Sequence, residues 1–342
     1  MNAHDRVPAA RMVEIGAEAA GQRLDNFLLK TCKGVPRTRV YRLVRRGEVR
    51  VNSGRVRPDY RLEEGDKLRI PPIRMAVPAS ERSPARVIRP EILFEDDCLI
   101  ALNKPSGLAV HGGSGIGTGL IEGLRAGRPQ ARFLELVHRL DRATSGVLLV
   151  AKKRAALTAM HEDLRQSSQK AHRFEKRYLA LVKGVWPETL REVKAPLSRG
   201  AKGGGAGPVT VDDEGRYARS LFRIVERFGE LATLVEIRLL TGRTHQARVH
   251  AAHAGHPIAG DDKYGDWDWN VALRKLGLRR LFLHAAGLSI PHPESGERLQ
   301  LEAPLPAELE TFLDAMRSDS SEFRVSSSKT RNVKLETQNS TR

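Results

Sequence analysis

One short stretch limits the folds open to this chain more than any other. The mostly polar run His138-Arg139-Leu140-Asp141-Arg142-Ala143-Thr144-Ser145-Gly146 passes directly into Val147-Leu148-Leu149-Val150-Ala151. Consecutive apolar residues without polar alternation predict a strand buried on both faces, hence a sheet covered on two sides. The polar run is then a loop at the mouth of that strand, with Thr144-Ser145-Gly146 supplying the turn. A loop anchored there holds the Asp141 carboxylate rigidly, and the neighbouring Arg139 and Arg142 favour its ionised form. Two readings fit these residues equally: a carboxylate positioned for chemistry, and a structural aspartate bridging Arg139 or Arg142 at a turn.

The surrounding chain is consistent with a mixed domain. Tyr178-Leu179-Ala180-Leu181-Val182 and Val235-Glu236-Ile237-Arg238-Leu239 alternate as half-buried strands do. From Ile92 to about residue 317, short apolar runs alternate with turns, which predicts an α+β domain on a mixed, largely antiparallel sheet. Proline-rich residues between Pro71 and Pro90 read as a linker, placed at 81–91. Residues 21–80 form a separate small α+β module, 1–20 are expected to be flexible, and the Ser-rich segment 318–342 to be disordered.

The small module is where charge matters. A helix is predicted from Gln22-Arg23-Leu24-Asp25 onward, with Leu24, Phe27 and Leu28 on one side. Pro36 starts a second helix that Gly47 stops, with Val40, Leu43 and Val44 as its apolar stripe. Arg37, Arg39, Arg42, Arg45 and Arg46 crowd the rest of it almost without acidic partners, which points to phosphate contacts. Val49-Arg50-Val51-Asn52 and Lys67-Leu68-Arg69-Ile70 follow as short strands. The whole chain agrees: 58 Lys+Arg against 41 Asp+Glu give a formal charge of +17, which favours a polyanionic partner. The two cysteines, Cys32 and Cys98, form no CxxC, so a reducing cytoplasm is expected. No apolar run approaches the roughly 20 residues that cross a bilayer, and the first residues have no signal-peptide core.

Residues 21–72 resemble the S4-like RNA-binding domain, from Arg23-Leu24-Asp25 to Gly47-Glu48-Val49-Arg50-Val51-Asn52. His138-Arg139-Leu140-Asp141 with Thr144-Ser145-Gly146 resembles the signature of the RluA-type pseudouridine synthases. Further pieces of that pattern follow in order. They are Leu102-Asn103-Lys104-Pro105-Ser106-Gly107, Lys176-Arg177-Tyr178-Leu179-Ala180-Leu181-Val182-Lys183-Gly184, and Thr241-Gly242-Arg243-Thr244-His245-Gln246-Ala247-Arg248-Val249-His250. Pro257-Ile258-Ala259-Gly260-Asp261 and Tyr264-Gly265 come after them. Leu120-Ile121-Glu122-Gly123-Leu124-Arg125 and Arg132-Phe133-Leu134-Glu135-Leu136-Val137 are similar to a branch that modifies uridines of 23S rRNA.

The resemblance implies a fold, a reaction and a set of roles. The fold is the pseudouridine synthase domain preceded by the S4-like domain. The reaction converts uridine to pseudouridine, with no cofactor and no metal. Asp141 is implied as the reacting carboxylate, Arg248 as its basic partner and Tyr178 as the ring that stacks on the detached base and can help remove its carbon-5 proton. Arg139 is expected to support the flipped-out nucleotide. Arg243 and the arginines 37, 39, 42, 45 and 46 are expected to contact RNA. The expected partner is 23S rRNA or a large-subunit precursor, met by a cytoplasmic monomer without membrane association. The competing reading is a non-catalytic RNA-binding or ribosome-assembly factor that retains the fold. Ala247 stands where the family usually has Leu or Ile, and the stretches 167–172 and 200–207 look like loop expansions.

Other motifs point elsewhere but weakly. His245, His250, His253 and His256 lack a zincin spacing. His253-Ala254-Gly255-His256 imitates an aminoacyl-tRNA synthetase signature without its lysine-serine companion. The glycine-rich stretch from Gly112 to Gly119 is not followed by Gly-Lys-Ser/Thr and reads as a loop near the cleft, not a phosphate cradle.

Overall fold

In the computed structural model, which describes residues 10–32, 35–73, 87–112, 118–166, 174–200 and 207–318, the chain divides into two units. One runs up to Ile88 and includes Gly112–Phe133; the other comprises Arg89–His111 and everything from Leu134 onward. The expected tail from 319, most of the expected linker, the glycine-rich residues 113–117 and most of the two loop expansions lie outside the described residues.

The first unit contains strand β1 (Arg11–Glu14), helices α1 (Leu24–Thr31) and α2 (Arg37–Arg45), and strands β2 (Arg50–Val51) and β3 (Lys67–Ile70). Its sheet has the order β1-β3-β2, all antiparallel. Leu24 and Leu28 of α1 and Val40, Leu43 and Val44 of α2 are buried together with Leu62, Leu68 and Ile70, as the apolar stripes require. Of the segment expected to be flexible at 1–20, residues 1–9 lie outside the described residues, and the expectation is corrected for the rest. Arg11–Glu14 pairs with β3 over its full length, and Ile15 and Ala19 enter the core. Arg-Met-Val-Glu has too little alternation to announce a strand; an edge already offered by β3 makes it one. The second correction concerns 112–133. Placed with the large domain from sequence, this stretch groups with the first unit and carries α3 (Leu120–Ala126).

The second unit is built on a ten-stranded sheet. In chain order it comprises β4 (Glu91–Glu95), β5 (Leu99–Lys104), β6 (Glu135–Leu136), β7 (Ser145–Ala151), α4 (Arg154–Gln166), β8 (Glu175–Lys183) and β9 (Glu192–Lys194). A two-stranded ribbon follows, β10 (Leu197–Arg199) with β11 (Val209–Val211), then β12 (Arg219–Phe228), β13 (Ala232–Leu239), α5 (Gln246–His253), α6 (Trp267–Lys275), β14 (Leu283–Pro291) and β15 (Arg298–Glu302). The order is β4-β5-β7-β14-β8-β13-β12-β9, with β15 on β14 and β6 on β7. Only β7 and β14 run parallel, which makes the sheet mixed and largely antiparallel.

All seven residues of β7 are buried, as the unbroken apolar run demands. Gly146 lets its neighbour come close. It has φ +111°, and a Cβ there would meet the Ala285 carbonyl oxygen of β14 at 2.2 Å. The alternation in β13 did not survive as a solvent face, because Glu236 is only 4% exposed. Arg223, Arg238 and Arg177 converge on its carboxylate from β12, β13 and β8 and cover that side of the strand. Below the sheet, Trp269 and Leu273 of α6 and Phe312, Leu313 and Met316 of a helical stretch over 307–318 pack on Leu181, Phe228 and Leu234.

Candidate active site

A cavity of about 480 Å³ opens where the loop before β7, the start of β8, the end of β13 and the start of α5 meet. Asp141, Arg139, Tyr178, Arg243 and Arg248 all line it, so residues far apart in the chain share one wall. The exposed arginines at 37, 39, 42 and 45 belong to α2 of the first unit, and the exposed Arg46 caps its C-terminus.

The Asp141 loop is held from beneath by the first motif. Lys104 is fully buried, and its ammonium donates to the carbonyls of Pro105, Leu108 and Arg142 at 2.8, 2.9 and 3.2 Å. Burial lowers its pKa to about 7, while three carbonyl acceptors take up its three donors. Ser106 Oγ donates to the Ala143 carbonyl and the Gly107 N–H to that of Arg142. On the other flank, Arg280 donates to Ser145 Oγ, whose hydroxyl faces His284 Nδ1 at 2.9 Å. His138 accepts the Leu149 N–H at Nε2, and burial lowers its pKa to about 3, so it is a neutral brace within the loop.

Arg248 is the buried cation of the site. Its Nε and Nη2 donate to both carboxylate oxygens of Asp261 at 2.7 Å, and its Nη1 lies 3.6 Å from Asp141 Oδ2. Burial alone would lower its pKa, but the Asp261 hydrogen bonds and charge leave it raised. Asp261, with a fully buried carboxylate, also accepts the backbone N–H groups of Lys263 and Tyr264. Burial pushes its pKa up, and Arg248 more than offsets that, leaving it below the usual carboxylate range. Arg248 is therefore fixed first by Asp261 and presents its remaining edge to Asp141. A bidentate fork of this kind fixes direction as well as charge.

His245 completes the ring of groups. It adopts φ +56° and ψ 18°, a left-handed conformation unusual for a residue with a Cβ. The turn that imposes it is tied by Gln246, which accepts from Thr241 Oγ1 and the Arg243 N–H and donates to the Arg219 carbonyl and Ser220 Oγ. His245 Nε2 is 3.7 Å from Asp141 Oδ2, and Nδ1 is 2.8 Å from the Tyr264 hydroxyl. That hydroxyl oxygen accepts the Val209 N–H, so its own proton can go to Nδ1. Burial lowers the imidazole's pKa despite the Asp141 charge, and with Nδ1 engaged by the Tyr264 hydroxyl it is Nε2 that faces the carboxylate. The Tyr264 ring also lies under the Arg248 guanidinium at 5.1 Å.

Tyr178 on β8 is buried and faces the same cavity. Burial and then the Asp141 charge raise its pKa, so the phenol stays protonated. Lys176, two residues earlier on the same face, is lowered to about 8 by burial. Arg139 is exposed at the rim, and Arg243 is tied at Nε to the Tyr217 carbonyl.

Asp261, Tyr264, Lys104 and His245 were not assigned roles from sequence, although the motif runs contain them. Their signal is buried polarity, which exists only once the chain is folded. The histidine cluster separates: His250 is buried between Ser220 and Ala195, His256 contacts the Lys183 carbonyl, and His253 is exposed. Among the described residues, metal-ligand spacing occurs in Asp96, Cys98 and His292, none of which lines the site. His292 already accepts the Ser295 N–H at Nδ1 and faces Asp96 through Nε2.

The family model for RNA pseudouridylate synthase matches residues 98–253, and that for the S4 domain matches 22–68. The ribosomal large subunit pseudouridine synthase C of Yersinia pestis is 53% identical over 317 residues, covering 91% of this chain and 97% of the relative. Its counterpart in Escherichia coli strain K12 is 51% identical over 318 residues, covering 91% and 98%. Among solved structures, human RNA pseudouridylate synthase domain containing 1 aligns with a TM-score of 0.52 and 26% identity, covering 69% of this chain and 97% of that one.

Proposed function

We infer that this chain, which belongs to the RNA pseudouridylate synthase family, converts uridines of 23S ribosomal RNA to pseudouridine. The observation that carries the reading is the position of Asp141: a carboxylate 22% exposed in a cavity, facing Arg248 and His245 at 3.6 and 3.7 Å. A purely structural aspartate at a turn would be spent on Arg139 or Arg142, and no ion pair to either is present among the described residues. The relatives named for large-subunit pseudouridine synthesis span nearly the whole chain, which favours ribosomal RNA as substrate.

The chemistry needs one bond broken and one made. The N1–C1′ bond of uridine opens, the base turns in the pocket, and C5 bonds to C1′ while the C5 proton leaves and N1 gains one. No electrons are exchanged with a second reactant, so the step requires no redox cofactor. Asp141 serves by attacking C1′ or by removing the 2′ proton, and both begin from the ionised carboxylate. Arg248 and His245 Nε2 orient it. Tyr178, buried at the cavity wall, offers its ring as the stacking surface for the detached base. Arg139 at the rim supports the flipped nucleotide, and the α2 arginines and Arg243 contact RNA phosphates. We assign the work to a cytoplasmic monomer. Among the described residues, no helix is long and apolar enough to cross a membrane.

Mapping pseudouridines by carbodiimide chemistry in rRNA from a deletion strain tests the reading. Specific sites should disappear, return with the wild-type gene and stay absent with Asp141→Asn. Unchanged maps would leave the RNA-binding factor without isomerase activity as the better description.

A further inference from the structure

The loop that carries Asp141 has a cavity on each side. Arg139 and Asp141 face the reaction cavity, whereas Arg142 and Ala143 line a second one of about 240 Å³, and Arg248 touches both. The second cavity is bounded by Arg142, Arg274, Arg279 and Arg280, with Asp261 and Asp262 as its acidic residues. Asp261 is consumed by Arg248 and two backbone N–H groups. Asp262 is 89% exposed and 3.7 Å from Arg274, a separation at which water screens most of the attraction. Arg280 is held by Glu308 and Ser145. Arg142 and Arg279 are exposed and have no ion-pair partner among the described residues, so the cleft keeps uncompensated positive charge.

An aromatic ring lies against one of the arginines that line it. Trp267 opens α6 and is 70% exposed, with the Arg274 guanidinium 5.3 Å from its ring centre. Trp269, two residues on, is only 6% exposed and anchors the helix in the core. The helix therefore does not need Trp267 for packing. A large aromatic left in water beside one arginine of a cleft that keeps net positive charge is a combination that binds unpaired nucleic acid, the ring taking a base and the cations its phosphates. A uridine drawn into the reaction cavity carries its neighbours' backbone past the loop, and the second cleft is where that backbone can be received.

We propose that the cleft between Arg142 and Arg279 seats the sugar-phosphate backbone flanking the target uridine, and that Trp267 stacks on an unpaired base of that flank. The proposal rests on the RNA-isomerase reading and extends it to how the substrate strand is threaded. The test uses the full-length protein and a short single-stranded oligouridylate, followed by emission of the exposed tryptophan, with turnover measured separately on a large-subunit rRNA transcript. The oligouridylate should quench the wild-type signal, because the other two tryptophans, Trp186 and Trp269, are buried. Trp267→Ala should weaken binding between about 5-fold and about 150-fold. Arg279→Ala should lower the slope of log affinity against log salt by about 0.7. In both variants KM for the transcript should rise while kcat at saturation stays near wild type. Both side chains are exposed, so unchanged melting curves will certify the fold. Absent quenching, with unaltered affinity and salt slope in both variants, overturns the cleft proposal even if the wild type makes pseudouridine. Quenching by a wild-type protein that makes none would instead overturn the isomerase reading.

Discussion

Arginine does opposite work in the two units. On α2 and its C-terminal cap, Arg37, Arg39, Arg42, Arg45 and Arg46 are exposed, and the other side of the helix is buried. In the reaction site, Arg248 is 8% exposed and clamped at 2.7 Å by both oxygens of Asp261. The first group keeps its hydration and its freedom, so it attracts any phosphate within a screening length and loses that attraction as salt rises. The second has given up solvent and motion, so it acts on one atom, Asp141 Oδ2 at 3.6 Å. The same side chain becomes a long-range attractor or a positional clamp according to burial and to whether a carboxylate is there to meet it. Exchanging those settings should exchange the phenotypes.

The largest effect expected is at the clamp. Arg248→Ala leaves the Asp261 carboxylate buried and unpaired, which should cost about 3–5 kcal/mol in denaturant unfolding. Turnover should fall with it. Arg248→Lys keeps a charge but loses the fork, and should restore part of the stability with little of the activity. A lysine variant of full activity would break the contrast, since charge alone would then suffice.

Tyr178 sharpens the same point for an uncharged group. Tyr178→Phe keeps the ring and removes a hydroxyl that stays protonated, so single-turnover rates should remain within about tenfold, whereas Tyr178→Ala should lose stacking worth about 1–3 kcal/mol. Equal losses in the two variants would assign the proton, and not the ring, as the working part.

At the exposed end, replacing Arg39, Arg42 and Arg46 together by Ala should raise KM and reduce the salt slope by about 0.7–0.9 per lost contact. Saturating turnover and the melting temperature should stay near wild type, as expected for surface positions. A loss of kcat would show that α2 does more than attract.

The smallest effect is a pH dependence. Asp261 has a depressed pKa, so its contribution to stability is whole above the ordinary carboxyl value near 3.9 and is lost as pH falls through the lower native value. Acid unfolding followed by circular dichroism should therefore be shallower in Asp261→Asn, although that variant starts less stable. An unchanged acid slope would mean that other carboxylates govern it.

Much of this was legible before folding because the signals are local. The burial of β7 follows from five consecutive apolar residues, and the stripe of α2 from spacing that repeats with the helical turn. Asp141, Tyr178 and Arg248 were legible through motif resemblance, and the cavity brings them together. Three things were not. Arg11–Glu14 is a strand because β3 offers it an edge. Residues 112–133 lie between segments of the large unit in sequence and group with the small one. Glu236 alternates like a surface residue, yet three arginines converge on it.

What the sequence by itself determined is chemistry by type: a carboxylate before a buried strand, a basic helix, an aromatic and a cation in later motifs. Periodicity and composition act over a few residues, and so they can be read from a few residues. What only the tertiary structure decided is which cation holds which carboxylate. Arg248 was expected to serve Asp141; in the fold it is first fastened to Asp261 and turns a single edge to Asp141. His245 reaches Asp141 because a left-handed turn, tied by Gln246 and by the Tyr264 hydroxyl, aims it there. Such distances depend on the register of β8, β13 and β14 and on burial. Both are properties of the assembled sheet, and no segment carries them alone.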